Sequence, residues 1–112
     1  MSIEMRKSDD VTILDIRGRI TFSKGSGELS DTVSDLLEAG KKKILLNTED
    51  VQQMDSQGIA ELLKAHITVT KADGQIKFTG LSPRLHDVLT VTKLLIVFDI
   101  QKDEQTALKS FS

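Results

Sequence analysis

Ile44-Leu45-Leu46-Asn47 and, one polar segment later, Met54-Asp55-Ser56-Gln57-Gly58-Ile59-Ala60-Glu61-Leu62-Leu63 decide the fold of this chain. Ile44-Leu45-Leu46 is a short continuous apolar run, as expected of a central strand covered on both faces. The polar residues from Asn47 to Gln53 read as a turn. Ile59, Leu62, Leu63 and Ile67 then recur at i, i+3, i+4 and i+8, which places them on one stripe of an amphipathic helix. A strand feeding such a helix, repeated from residue 43 onward, points to an α/β architecture with parallel neighbours.

Downstream, the helix is expected to end near Ala72-Asp73-Gly74, with Gly74 offering the left-handed cap. Gln75–Thr79 alternates as a strand with Ile76 and Phe78 on one face, and Gly80 marks its end. Ser82-Pro83 opens another helix, since serine accepts from open N–H groups and proline is tolerated at the first helical position. Leu85, Val88 and Leu89 carry that stripe to about Val91. The segment from Leu94 to Ile100 is expected to contain the last strand. Glu104–Phe111 forms a final short helix with Ala107, Leu108 and Phe111 inward.

Upstream, Leu29, Val33, Leu36 and Leu37 mark a helix over Glu28–Ala39, with Glu28 and Asp31 at its positive end and Gly40 at its C-terminus. Met1–Lys7 and Val11–Arg17 read as a hairpin turned by Asp9-Asp10. Val11 and Ile13 share one face of the second strand while Leu14 and Ile16 share the other, so both faces are expected to be covered. Gly18 is expected to break this run, and Thr21 to Gly27 reads as a connection rich in Ser and Gly. The antiparallel hairpin makes the sheet mixed.

Composition narrows the class. With 112 residues the chain suits one domain, and 15 Lys+Arg against 17 Asp+Glu leave a net charge of −2. A domain of this size buries roughly two-thirds of its unfolded surface, enough for one cooperative core. No apolar run approaches the roughly 18 residues of a spanning helix, and no secretory pattern opens the chain. The absence of Cys excludes disulfides and thiolate chemistry. The slightly acidic balance, without Trp or Tyr, argues against nucleic acid. A soluble cytoplasmic domain is expected.

No active site is legible. His66 and His86 stand in different helices without metal-ligand spacing, and both read as boundary or surface residues. Lys24-Gly25-Ser26-Gly27 lacks the spacing of a phosphate loop, and no nucleophile elbow is present. What stands out is Asp55-Ser56-Gln57-Gly58 at the start of a helix. Asp55 or Ser56 is expected to be the N-cap, worth about 1 kcal/mol. The functional alternative is a modification site. A phosphoryl group on Ser56 adds about −1.5 to −2 charge at a helix N-terminus, a place that tolerates anions.

These stretches resemble the signature of the STAS domain, and in particular the bacterial anti-sigma factor antagonists, whose core motif is D-S-x-G at a helix start. A second block supports the resemblance: Gly74, Ile76, Leu81, Arg84-Leu85-His86-Asp87-Val88-Leu89, Thr92-Lys93-Leu94 and Val97-Phe98. Val11–Ile16, Gly18 and the helix at Glu28–Ala39 agree more loosely. The expected fold is therefore a single α/β STAS domain over residues 1–112, with a mixed four- to five-stranded sheet and four helices packed mainly on one face.

The resemblance implies a partner-switching cycle. The unmodified antagonist binds an anti-sigma factor, itself an ATP-using serine kinase, and so frees the sigma factor. Phosphorylation breaks the complex, and a separate PP2C-type phosphatase restores it. By position Ser56 is the phosphate acceptor, Asp55 holds the turn, and Gly58 allows close approach of the kinase. Gln57, Ile59 and neighbouring helix residues complete the docking face. In that scheme the chain is a substrate and switch, not an enzyme. It uses no cofactor or metal, binds no nucleic acid, does not insert into a membrane, and is a monomer or weak dimer. Stand-alone STAS domains also resemble adaptor subunits of lipid-trafficking ABC transporters, which clamp an ATPase without phosphorylation. Gln57, larger than the small residue frequent at its position, motivates that alternative.

Overall fold

Asp9, at φ 52°, closes a hairpin between β1 (Ser2–Ser8) and β2 (Val11–Ile20). Asp tolerates this left-handed conformation better than most side chains. The computed structural model describes residues 2–20 and 27–111. Six further elements follow: α1 (Glu28–Glu38), β3 (Lys43–Met54), α2 (Ser56–Lys71), β4 (Gln75–Thr79), α3 (Pro83–Val91) and α4 (Glu104–Ser110). A single turn of 3-10 helix, Leu94–Ile96, lies between α3 and α4. The strands form one sheet in the order β1-β2-β3-β4, with β1 antiparallel to β2 and the other two pairings parallel. The expected mixed sheet is present at its lower strand number. Residues 21–26 of the Ser- and Gly-rich connection lie outside the described residues.

Both faces of the central strands are covered, as the paired apolar positions of β2 predict. On one face Leu14, Ile16, Ile44, Leu46, Ile76 and Phe78 meet Leu29, Val33 and Leu36 of α1, Leu62, Ala65 and Val69 of α2, and Leu85 and Leu89 of α3. On the other, Val11, Ile13 and Leu45 pack against Ala107 of α4, with Leu108 and Phe111 beside them. Three helices thus share one face and a short fourth closes the other. Fully burying a Leu, Ile or Phe contributes about 1.5–3 kcal/mol, so the three-helix face carries most of the hydrophobic stabilisation.

Three expectations are corrected. The polar stretch from Asn47 to Gln53 is strand, not turn, because β3 runs unbroken to Met54. Its partner β2 also continues past Gly18: Arg17 pairs with Asp50, Gly18 with Val51, and Ile20 with Met54. Register shifts flank Gly18, whose φ of 88° fits a bulge rather than a strand end. Here pairing with β2 on one side holds the backbone while Glu49, Asp50, Gln52 and Gln53 stay exposed, so apolar alternation is missing from a real strand.

The second correction concerns Leu94 to Ile100, which supplies one isolated bridge, Ile100 with Phe78, instead of a strand. Lys93, at φ 63°, turns the chain sharply into the 3-10 helix. Phe98 is thereby delivered onto Phe78, ring centroids 4.5 Å apart, and is buried there. The apolar content that suggested a strand serves this packing instead.

At the end of α2 it is Asp73, φ 60°, that takes the left-handed position expected of Gly74. Gly74 meets a different demand. A Cβ there would lie 2.7 Å from the Lys42 carbonyl oxygen and 2.8 Å from Val69 Cγ1, so a side chain is excluded by close approach.

Candidate functional site

β3 delivers Met54 to the edge of the three-helix face, and the chain turns into α2 at Asp55. Asp55 has extended backbone geometry, φ −102° and ψ −173°, and its Oδ1 accepts from the Gly58 N–H at 2.9 Å. Its carbonyl oxygen accepts the first helical bond, from the Ile59 N–H at 3.0 Å. Asp55 is therefore the N-cap, which settles the choice between Asp55 and Ser56. Ser56 becomes the first helical residue. It is exposed, as is Gln57; Ile59 is half-buried, and Gly58 is buried beneath them. No acidic residue stands in the first turn of α2 itself; the carboxylate that faces the positive end of its dipole is that of the Asp55 cap.

α3 begins beside this point. Ser82 caps it, with Oγ accepting from the Leu85 N–H at 3.1 Å, and Pro83 follows in the first turn. Between the far end of β3 and this helix lies a narrow groove of about 30 Å³, lined by Val51, Gln52, Met54, Arg84 and Val88 among others. It places apolar atoms and one exposed cation next to the start of α2. Sequence reasoning missed this groove, because a turn assigned to Asn47–Gln53 hides which residues face it.

The position of α2 is fixed from two sides. Glu61, one turn beyond Gly58, accepts from the Gly27 N–H at 2.8 Å and from Ser30 Oγ at 2.9 Å. A carboxylate of α2 thus serves the N-terminus of α1, whose own cap position is a glycine without a side chain. Farther along α2, the His66 ring lies 5.4 Å from that of Phe98, and its buried Nδ1 has no hydrogen-bond partner among the described residues. Burial pushes its pKa below the ordinary histidine value. His66 is a boundary residue and His86 an exposed one, as their sequence positions suggest. Among the described residues no group of His, Cys, Asp or Glu is arranged to hold a metal ion.

A second polar cluster lies across the sheet. The Arg6 guanidinium binds both oxygens of the buried Asp15, at 2.5 and 2.9 Å, and reaches Glu104 of α4. Asn47 Nδ2 donates to Asp15 Oδ1 at 2.9 Å. Hydrogen bonding from Arg6 outweighs burial and, helped by Asn47, holds the Asp15 carboxyl below the usual carboxylate range. Each acceptor oxygen is matched by a donor, so this cluster ties β1, β2, β3 and α4 together.

Among solved structures, the chain is similar to a Thermotoga maritima protein assigned as an anti-sigma factor antagonist, with a TM-score of 0.87 and 20% identity over 96% of this chain and 92% of that one. The anti-sigma factor antagonist SpoIIAA in its unphosphorylated form matches with a TM-score of 0.71 and 14% identity, over 93% of this chain and 91% of that one. The Bacillus cell fate determinant SpoIIAA in its phosphorylated form matches with a TM-score of 0.73 and 16% identity, over 96% and 97%. At these identities the likeness is one of fold. The STAS domain family profile matches residues 2–107, nearly the whole of the described chain, and the protein belongs to the STAS domain family.

Proposed function

We propose that this chain, acting as one STAS domain over residues 1–112, is an anti-sigma factor antagonist switched by phosphorylation of Ser56. One observation carries the reading: Asp55, not Ser56, caps α2, which leaves an exposed serine hydroxyl free of a capping duty at a helix N-terminus. That the structural relative SpoIIAA has been solved in both phosphorylated and unphosphorylated forms supports it.

The partner is a kinase-type anti-sigma factor that carries ATP or ADP, and a PP2C-type phosphatase reverses the modification; both place the chain in the cytoplasm. The docking face comprises Asp55, Ser56, Gln57, Gly58 and Ile59, extended by the groove that Met54 and Arg84 line. Asp55 and Gly58 act by holding the turn on which Ser56 stands. A phosphoryl group adds about −1.5 to −2 charge at this contact. The N-terminus of α2 tolerates that charge within the free protein, whereas a partner that seals the hydroxyl against its own surface does not. The fold survives while the affinity changes.

The test is a pull-down from native cell lysate with added ADP, using wild type and Ser56→Asp as paired baits. Retention of a serine kinase with the histidine-kinase fold by wild type, and its loss from Ser56→Asp, is the expected result. Equal retention of a transporter ATPase by both baits would replace this reading with that of an adaptor subunit.

A further inference from the structure

The end of the sheet farthest from Ser56 gathers positive charge. Lys41, Lys42 and Lys43 follow one another where α1 gives way to β3, and Lys7 arrives beside them from β1. With Asp9 and Asp10 of the hairpin turn they line an open groove of about 350 Å³. Asp10 is engaged by Lys43 at 2.6 Å. Lys7, Lys41 and Lys42 have no carboxylate within ion-pair distance among the described residues. This concentration of unpaired cations occurs on a chain whose net charge is −2.

The arrangement is not explained by helix electrostatics alone. The C-terminus of α1 attracts cations, which accounts for lysines that follow it in sequence. It does not account for Lys7, which belongs to another element and approaches Lys41. Contact with the Lys7 ammonium and the repulsion between the two charges hold Lys41 below the usual lysine range. Like charges brought together in this way repel, and an anion standing between them relieves that repulsion.

The lining also limits the ligand. It contains no aromatic side chain, so it offers a nucleobase no stacking platform. Gly40, at φ 78° with open space where a Cβ would project, leaves the backbone approachable on the same rim. We propose that this groove binds a compact anion of the phosphate class, carrying at least two negative charges, between Lys7 and Lys41. The site is independent of the Ser56 switch. Lys43 opens β3 and Met54 closes it, so the length of that strand separates the two.

The experiment is an amide-detected NMR titration of the full chain with pyrophosphate at constant ionic strength, repeated on the double variant Lys7→Gln, Lys41→Gln. Saturable shifts confined to residues 7–12 and 40–43, and at least tenfold weaker binding by the double variant, are expected. Shifts that do not saturate, that are unchanged in the variant, or that centre on Ser56 would overturn the proposal. If the double variant loses the dispersed spectrum of a folded chain, Lys7→Gln alone is used, with threefold or greater weakening expected and unchanged binding counting against the site. Saturation by an acidic hexapeptide at lower concentration than pyrophosphate would assign the groove to a protein partner and also overturn it.

Discussion

Two helices of this protein start side by side with a serine at or near the first turn, and the two serines have different duties. At α3, Ser82 is itself the cap, its Oγ accepting from the Leu85 N–H. At α2 the cap is Asp55, and Ser56 stands one position later, exposed. A shift of one residue separates a hydroxyl that caps its helix from one that does not. The difference is that modifying Ser82 would cost α3 its cap, whereas modifying Ser56 leaves the Asp55 cap of α2 in place.

The largest expected effect lies in partner binding. Ser56→Asp is predicted to weaken affinity for the anti-sigma factor kinase on the order of 100-fold, whereas Ser56→Ala binds as wild type does; every ~1.4 kcal/mol is tenfold. Calorimetry on both variants checks this, and equal affinities would remove Ser56 from the mechanism.

Next in size is a control at α4, on the sheet face opposite α2. Arg6→Ala strips the buried Asp15 of two hydrogen bonds and frees Glu104. It is predicted to cost about 2 kcal/mol, the half-exposed Arg6 placing it below a fully buried pair. Urea unfolding measures the loss, and phosphorylation of Ser56 should be unaffected wherever the variant is folded. A defect in phosphorylation of the folded variant would mean that the α4 face belongs to the docking surface.

Smaller effects sharpen the contrast between the serines. Ser82→Ala and Asp55→Ala should each lower stability by about 1 kcal/mol, as loss of an N-cap does. Ser56→Ala should stay within about 0.5 kcal/mol of wild type. Thermal unfolding of the three variants decides it, and a Ser56→Ala loss equal to that of Ser82→Ala would return Ser56 to a structural role.

The smallest effect is a pH dependence carried by His66 of α2. Its pKa is lowered in the folded state, so it is held neutral there, and the unfolded chain takes up the proton first. Stability from this residue is complete above the unfolded value of about 6.5 and declines as pH falls through it toward the folded value. His66→Phe should flatten that part of the stability profile. Asp15 acts in a separate, more acidic window: its folded pKa is also lowered, so its contribution is lost as pH falls below the usual carboxylate range.

Much of this was legible in the sequence, for identifiable reasons. Helices were visible through their apolar spacing, as with the buried Leu29, Val33 and Leu36 of α1. In α2 the buried face is Leu62, Ala65 and Val69, and Ile67, which the spacing put on the stripe, is exposed. The motif at 55–58 was visible because caps and D-S-x-G share a location, although the sequence left open which residue caps. The second half of β3 was hidden. Glu49, Asp50, Gln52 and Gln53 are exposed in a strand held by its ladder, and side-chain pattern carries no record of main-chain pairing. Leu94–Phe98 misled in the opposite sense, since an apolar run does not say whether it lies in a ladder or, as here, turns to stack Phe98 on Phe78. The groove between β3 and α3 was hidden by the first of these misreadings, which is why it is absent from the expected site.

The proposed switch requires Ser56 to be the residue modified, and peptide mapping tests that most directly. The protein is incubated with its captured kinase and ATP, and each phosphate is located by mass spectrometry. One phosphate on Ser56, and none on the Ser56→Ala variant, is the predicted result. A phosphate on Ser82 instead, or undiminished modification of Ser56→Ala, would contradict the claim that the displaced cap at α2 creates the switch.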